Sequence, residues 1–135
     1  MSIELLSVPK WNTQLVREDQ LIHAPSWSHI DAAIRDLDGS VSQEVFLHPQ
    51  RDDLETWLSI GGGAGKYLVT GSIKNEGFPT YVAGKQCTNL VPLMIGGQLG
   101  EFPNNWIVDL RVALQVAKAF YDAGAFECGV TWSYV

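Results

Sequence analysis

The chain has 135 residues, about the length of one domain, and it contains no internal repeat or linker-like stretch, so we expect a single domain over residues 1–135. A composition that is 46% hydrophobic and 18% charged excludes intrinsic disorder, which requires few apolar residues and many charges. The net charge of −6 argues against direct nucleic-acid binding, because proteins that hold a phosphate backbone carry a basic patch.

The N-terminal third of the chain predicts one strand and one helix. Residues 2–8 have strand character, whereas residues 10–27 show no periodicity and are predicted to be irregular. Ser28 followed by Asp31 matches the S-x-x-D form of a capping box. Apolar residues then recur at helical spacing up to an Asp-Gly turn signal. This pattern predicts a helix over residues 29–37.

The middle of the chain alternates short apolar runs with turn signals. Runs typical of strands occupy residues 41–48, 56–60, 67–73, 78–82 and 90–95, and a last run occupies 129–134. The glycines of residues 61–65 are predicted to form a flexible turn, and residues 74–77 a hairpin turn. Short strands joined by tight turns indicate an antiparallel meander.

The second helix has the clearest local pattern. Asp109 can cap its N-terminus, apolar residues follow at helical spacing over 110–123, and Gly124 stands where a C-terminal glycine is expected. Together the elements predict an α+β fold in which two helices pack on one face of an antiparallel sheet. Phe120 and Trp132 lie on the apolar sides of their elements, so we expect both to be largely buried.

The glycine cluster resembles a phosphate-binding P-loop only superficially. That motif needs a Ser or Thr after Gly-Lys and a helix behind it, whereas the Gly-Lys at residues 65–66 is followed by Tyr67 and a predicted strand. The histidines lack the spacing of a local zinc half-site; they are His23, His29 and His48. We therefore expect no nucleotide, no metal and no other cofactor.

Nothing in the sequence matches a catalytic nucleophile or an acid–base pair. Cys87 and Cys128 are too few for a disulfide scaffold, although they allow one disulfide bridge. Neither of them lies in a nucleophile motif. Asp52, Asp53 and Glu55 lie in a polar turn without the apolar neighbours that would raise a carboxyl pKa, so they are interpreted as exposed charges. The pattern predicts a binding protein rather than an enzyme.

The termini and apolar runs bear on localisation. Residues 1–20 lack the basic and then apolar pattern of a signal peptide, so none is expected. The longest apolar run, residues 90–95, is far shorter than the roughly 20 residues that a membrane helix needs. We expect a cytoplasmic protein with no membrane partner.

Several short motifs occur in an order that resembles one protein family. They are L-x-I-G-G at Leu58–Gly62, Y-L-V at 67–69, G-G-Q at Gly96–Gln98, E-F-P at Glu101–Pro103, A-K-A-F-Y-D-A-G at the end of Val112–Gly124, and V-T-W at Val130–Trp132. With the first helix, which ends in L-D-G, they resemble the first-numbered immunity protein family of bacterial polymorphic toxin systems. The resemblance covers about residues 26–133, and residues 1–25 have no counterpart in it.

The resemblance implies a function. Members of that family are inhibitors encoded beside toxin genes, and their toxins are often zinc-dependent nucleic-acid deaminases and sometimes nucleases. The chain is thus expected to bind and neutralise a cognate toxin domain by blocking its active-site cleft, without catalysis. An acidic chain fits this role, because toxins that act on nucleic acids present basic clefts.

The expected contacts are acidic and aromatic residues near predicted turns. Residues 28–56 contain seven acidic residues and two arginines, so they carry −5 of the net −6, which suits either a solvated surface or a docking face for a cationic partner. Residues 96–103 suit either a recognition loop or a plain strand-to-helix loop. The residues expected to contact the toxin are Asp52, Asp53, Glu55, Glu76, Glu101, Phe102 and Trp106.

Two other functions stay open from the sequence. One is a small hydrolase or transferase with its site in the glycine-rich loops, which a deep pocket with perturbed titratable residues would favour. The other is a sensor or adaptor domain that binds a small ligand.

Overall fold

The fold is that of a computed structural model, which describes residues 3–12, 14, 16–83, 89–126 and 132–134. The strands in these ranges are β1 (Leu5–Trp11), β2 (Arg17–His23), β3 (Glu44–His48), β4 (Trp57–Gly63), β5 (Lys66–Ser72), β6 (Pro79–Tyr81), β7 (Leu90–Ile95), β8 (Gln98–Pro103), β9 (Ile107–Val108) and β10 (Trp132–Tyr134). The α-helices are α1 (Trp27–Arg35) and α2 (Leu110–Ala123), and a 3₁₀ turn spans Asn104–Trp106.

Within the described ranges, the main sheet has eight antiparallel strands. Seven of them run in the order β10-β6-β5-β4-β3-β1-β2, and β9 pairs with β5 beside β6. Strands β7 and β8 form a separate two-stranded hairpin. The predicted α+β class and antiparallel sheet are confirmed.

The two faces of the sheet differ because side chains alternate along each strand. On one face, which we call the helix face, Val45 of β3 and Leu58 of β4 join Ile34 of α1 and Ala117 of α2 in one core. These four side chains are fully buried. We call the opposite side the open face, since α1 and α2 leave it uncovered. The prediction that both helices pack on one face is confirmed.

Helix α1 begins two residues before its predicted start. Ser26, not Ser28, is its N-cap: the Ser26 hydroxyl accepts a hydrogen bond from the His29 backbone N–H at 3.3 Å. The His29 Nδ1 accepts in turn from the Ser26 backbone N–H at 3.1 Å. The predicted box was wrong because a histidine takes the place that Glu or Gln usually fills. The helix also ends at Arg35, two residues before the predicted end.

The prediction that residues 10–27 are irregular was wrong. β1 continues through Pro9 to Trp11, and β2 pairs with it from Arg17 to His23. Pro9 is tolerated because β3 pairs with β1 only over Leu5–Ser7, so the missing N–H disrupts no bond on that side. As an edge strand exposed along most of its length, β2 lacks the alternation that predicts a strand.

Two glycine-rich segments are more regular than predicted. Gly61 to Gly63 belong to β4, and the turn itself is Ala64 and Gly65. Residues 96–103 were expected to be a loop, whereas they form the Gly96–Gly97 turn and strand β8. Both differences arise because glycine is depleted in strands generally but is tolerated where another chain segment approaches closely.

Helix α2 matches its prediction, whereas the last predicted strand, residues 129–134, is described only over Trp132–Tyr134 and its Trp132 is less buried than predicted. The Asp109 carboxylate accepts from the Val112 backbone N–H at 2.9 Å, and Gly124 ends the helix with φ of 69°. Phe120 is 2% exposed, as predicted, while Trp132 is only partly buried and packs edge-on against Phe126 at 5.2 Å. Cys87 and Cys128 lie outside the described residues.

Candidate protein-binding surface

The β7–β8 hairpin covers part of the open face. A Cβ placed on Gly61 would stand 2.9 Å from Ile95 Cδ1, and one on Gly97 would stand 2.7 Å from the Trp11 ring. The Gly97 backbone N–H also donates to Gln43 Oε1 at 2.8 Å. A side chain at either position would press on Ile95 or Trp11, so the glycines allow the hairpin to lie close to the sheet. The rest of the face, towards β2 and the β3–β4 loop, stays uncovered by this hairpin.

A groove of about 330 Å³ occupies this uncovered part, and we call it the outer groove. Its lining residues are Leu5, Ser7, Arg17, Asp19, Leu21, Phe46, His48, Leu54 and Trp57. Leu21 and Leu54 are 55% and 58% exposed, which is unusual for large aliphatic side chains that lie close together. The outer groove is therefore an apolar depression with charged groups beside it.

Aromatic contacts organise the floor of the outer groove. The Phe46 and Trp57 rings meet edge-on with centroids 5.2 Å apart, a favoured aromatic geometry. The Arg17 guanidinium lies 6.0 Å from the Phe46 ring centre and is paired with Asp19 at 2.6 Å. The hydrogen bond to Asp19 raises the pKa of Arg17 above its ordinary value. The groove thus has one charge pair that is already balanced.

His48 forms a buried wall of the outer groove. It is 7% exposed, and burial lowers its pKa against the opposing effects of a hydrogen bond to the Thr56 backbone carbonyl and of the Asp53 charge. Its Nδ1 is buried with no hydrogen-bond partner among the described residues. Burial therefore favours the uncharged form of the ring in the groove.

A second cavity, of about 220 Å³, lies between the hairpin and the sheet, and we call it the inner cavity. It is lined by Glu44, Phe46, Trp57, Ser59, Gly61, Leu68, Thr70 and Ile95. Glu44 is 7% exposed, and burial raises its pKa, opposed by the Arg17 charge and reinforced by Asp19. Within the described part of the chain, its carboxylate makes no hydrogen bond and no ion pair within 4 Å.

Four of the residues expected to bind a partner lie at one end of the sheet. Asp52, Asp53 and Glu55 are in the β3–β4 loop, and Glu76 is in the β5–β6 turn. The Ser72 hydroxyl donates to the Glu55 carbonyl at 2.7 Å, which fixes the loop against the end of β5. This acidic end, as we call it, borders the outer groove because Leu54 of the same loop lines the groove.

The other three expected residues lie at the opposite end. Glu101 is on β8 and shares an open cavity of about 770 Å³ with Lys66, the first residue of β5. Phe102 follows on β8, and Trp106 is on the 3₁₀ turn. Because Ser72 is the last residue of β5, the two groups are separated by about 20 Å, the length of that strand. The structure therefore splits the predicted set in two.

Comparison with known proteins identifies the family of the chain. A family model described as immunity protein Imm1 matches residues 18–134. The chain belongs to the Imm1 immunity protein family. This match indicates a role in immunity to a toxin, and no curated protein matches the chain. The match starts in β2, so it extends the family resemblance towards the N-terminus, while β1 precedes it and still pairs with both β2 and β3.

The acidic stretch of residues 28–56 does not form one surface in this Imm1 family member. Asp31 and Asp36 belong to α1 and its C-cap, where Asp31 pairs with Arg35 at 2.9 Å, and Glu44 is buried on the open face. Only the β3–β4 loop presents its acids beside the outer groove. The interpretation of the whole stretch as one docking face is therefore replaced by a smaller acidic end.

Sequence reasoning missed the residues of the open face. Along β3, Glu44, Phe46 and His48 alternate with the core residues Val45 and Leu47. A strand that is buried on both faces normally has apolar residues at successive positions. Glu44 and His48 depart from that pattern in β3, and this departure could have indicated the open face.

The described residues contain neither a cluster of potential metal ligands nor a membrane-spanning helix. No group of three or more His, Cys, Asp or Glu side chains there could hold a metal ion. Of the helices in the described ranges, none is long and apolar enough to cross a membrane.

Proposed function

We propose that this Imm1 family member is a cytoplasmic inhibitor that binds a cognate bacterial toxin domain, a nucleic-acid deaminase or nuclease, and blocks its active-site cleft. Family membership supports the immunity role. The observation that carries the binding surface is the outer groove, where two exposed leucines and an aromatic pair lie beside the acidic end. Apolar patches rimmed by polar residues are typical of protein-binding sites.

The acidic end supplies the electrostatic part of this proposal. Asp52, Glu55 and Glu76 are exposed, so a basic cleft that binds nucleic acid is attracted to them. Such charges mainly raise the association rate and select the partner, because they stay hydrated at the rim of an interface.

The outer groove supplies the apolar part of the interface. Leu21 and Leu54 are more than half exposed in the free protein, and covering them removes apolar area from water. Phe46 and Trp57 form a rigid floor of the kind on which binding hot spots concentrate. We assign slow dissociation to this region.

The second group, Glu101, Phe102 and Trp106, belongs to the same proposed interface. A stable interface covers about 800 Å² on each partner, which corresponds to a patch roughly 30 Å across. A toxin seated on the open face can therefore reach both ends of the sheet, which are about 20 Å apart. Trp106, half-buried on its turn, would be the aromatic anchor at this end.

The proposed inhibitor acts by binding alone, without catalysis. The perturbed pKa values of Glu44 and His48 are also what an enzyme site can show. However, among the described residues neither group is hydrogen-bonded to a hydroxyl or thiol that could act as a nucleophile. A stoichiometric inhibitor accounts for the buried acid and the exposed leucines together.

Co-expression with the toxin domain encoded beside the gene tests the proposal. We expect the two chains to co-purify as a one-to-one complex, and the toxin to lose its activity on nucleic acid as that ratio is reached. Inhibition at substoichiometric amounts would point to catalysis instead. Failure to form a complex would contradict the proposed function.

A further inference from the structure

The inner cavity has a chemistry that a purely apolar docking surface would not need. We propose that it receives an arginine side chain of the toxin, with the Glu44 carboxylate as ion-pair partner and the Phe46 and Trp57 rings as walls. This inference rests on the proposed function and adds to it the recognition of one side chain.

Glu44 is the first support. Glu44 is 7% exposed, yet among the described residues no hydrogen bond or ion pair satisfies its carboxylate, which lines the inner cavity. A largely buried carboxylate without a protein partner is destabilising, because it loses part of its hydration and receives no hydrogen bond or ion pair in exchange. A cation from the partner would supply the missing ion pair. This accounts for an acid at a position that is otherwise unfavourable for one.

The existing cation beside Glu44 does not fill the role. Arg17 favours ionisation of Glu44 at a distance, but its guanidinium is paired with Asp19, whose own charge disfavours that ionisation. The two neighbouring charges therefore oppose each other at Glu44. A net negative charge remains in the cavity for a partner to neutralise.

The aromatic walls favour arginine among the cationic side chains. Guanidinium groups stack on aromatic faces and bind carboxylates with two parallel hydrogen bonds, whereas lysine acts as a point charge. Phe46 already has the Arg17 guanidinium over its ring at 6.0 Å, so the ring can accept such a group. Ser59 and Thr70 add hydroxyl groups to the lining, which can accept further N–H donors.

The position of the cavity suits insertion from the outer groove. Phe46 and Trp57 line both spaces, so a chain lying in the groove is next to the inner cavity. Above the carboxylate lies Gly96, where a Cβ would be 3.6 Å from Glu44 Oε1. At Gly96 the hairpin thus presents backbone to the acid, and a side chain at that position would reduce the remaining space.

Binding of the toxin domain encoded beside the gene to E44Q tests this inference, with E18Q as the matched control. Each substitution is isosteric and removes one negative charge. Glu18, however, is exposed on β2 and lies on the same side of that strand as Ile22, which packs against the core on the helix face. We expect E44Q to weaken binding at least about 30-fold, as truncation of a buried interfacial charge does. E18Q should stay within about twofold of wild type, as exposed charges usually do.

Double-mutant cycles then identify the partner residue. Each arginine of the toxin is replaced by alanine, and its effect is measured against wild type and E44Q. For one arginine, the loss of affinity on substitution by alanine should be about tenfold or more smaller in E44Q than in wild type. For the other arginines, the loss should be the same in both. A wild-type complex that E44Q leaves unchanged, or coupling to no arginine, would overturn the inference alone, whereas no complex with wild type would overturn the proposed function.

Discussion

Lys74 Nζ lies 3.0 Å from Asp53 Oδ2, and this ion pair connects the β3–β4 loop with the β5–β6 turn. The hydrogen bond from Lys74 lowers the pKa of Asp53, and the same bond raises the pKa of Lys74. Asp53 was expected to contact a partner, but its charge is balanced within the acidic end. The other acids of this end, Asp52, Glu55 and Glu76, make no ion pair with a described residue and carry its net charge.

The first prediction concerns these unbalanced acids. Replacing Asp52 by Asn together with Glu55 by Gln should slow association with the toxin domain about tenfold at low salt, because steering charges act on the encounter. The dissociation rate should change little. Stopped-flow or surface-based kinetics at several ionic strengths measure both rates.

The control for that variant removes the same charge elsewhere. Glu18→Gln combined with Asp36→Asn also changes the net charge by two, on an edge strand and on the C-cap of α1. It should slow association far less, since these residues lie away from the acidic end. Equal slowing by both variants, or an association rate that ignores ionic strength, would contradict a local steering role.

The second prediction concerns the cost of Glu44 to folding. Because burial raises the pKa of Glu44 in the folded chain, the folded state binds a proton more readily than the unfolded state. The contribution of Glu44 to stability is therefore greatest below its unfolded pKa and falls as pH rises through its folded pKa. Glu44→Gln should raise the melting temperature at pH 7, and the gain should shrink below the ordinary carboxyl range. A lower melting temperature at pH 7 would show that an unseen interaction stabilises the carboxylate.

Local patterns predicted the helices and core strands well. Asp109 and Gly124 bound α2 because capping depends on a few adjacent residues, and Phe120 faces the core because helical spacing places it there. The β2 strand could not be predicted, since its residues gain their conformation from pairing with β1 rather than from their own alternation. The same holds for β8, which pairs along its whole length with β7.

The candidate surface was less predictable than the fold. Acids in turns were correctly expected to be exposed at Asp52, Glu55 and Glu76, because turns lie at the surface. Their separation from Glu101 by the length of β5 depends on the strand order, which adjacent residues do not encode. The burial of Glu44 likewise requires the hairpin to fold back onto β4.

The third prediction tests the core. Phe120 is 2% exposed and meets the Phe126 ring at 4.9 Å. Phe120→Ala should lower the free energy of unfolding by about 3–5 kcal/mol, because it removes buried area and leaves a cavity. Phe78 is 41% exposed, so Phe78→Ala should cost less than about 1 kcal/mol. Urea unfolding measures both, and similar losses would mean that α2 does not pack as described.

The fourth prediction compares two glycines of the β4–β5 hairpin. Gly62 and Gly65 both have positive φ, at 106° and 87°, which strains any other residue. A Cβ on Gly62 would overlap the Lys66 backbone carbonyl, whereas one on Gly65 would meet nothing within 4 Å. Gly65→Ala should cost about 1 kcal/mol and Gly62→Ala about 2–5 kcal/mol. Equal losses of unfolding free energy in chemical denaturation would show that backbone strain alone, and not the overlap with Lys66, determines the cost.

The last prediction separates the two ends of the proposed interface. Trp106→Ala should speed dissociation of the toxin about 30-fold and leave association nearly unchanged, because a buried aromatic anchor acts after the encounter. Trp27→Ala is the control: Trp27 is also partly buried, but it lies on α1 and packs against Tyr121 at 5.8 Å. It should leave the dissociation rate at the wild-type value even where it lowers stability. If Trp106→Ala dissociates like wild type while Trp57→Ala dissociates faster, the interface is confined to the outer groove and the acidic end. Glu101 and Phe102 would then lie outside it, since both belong to the same end of the sheet as Trp106.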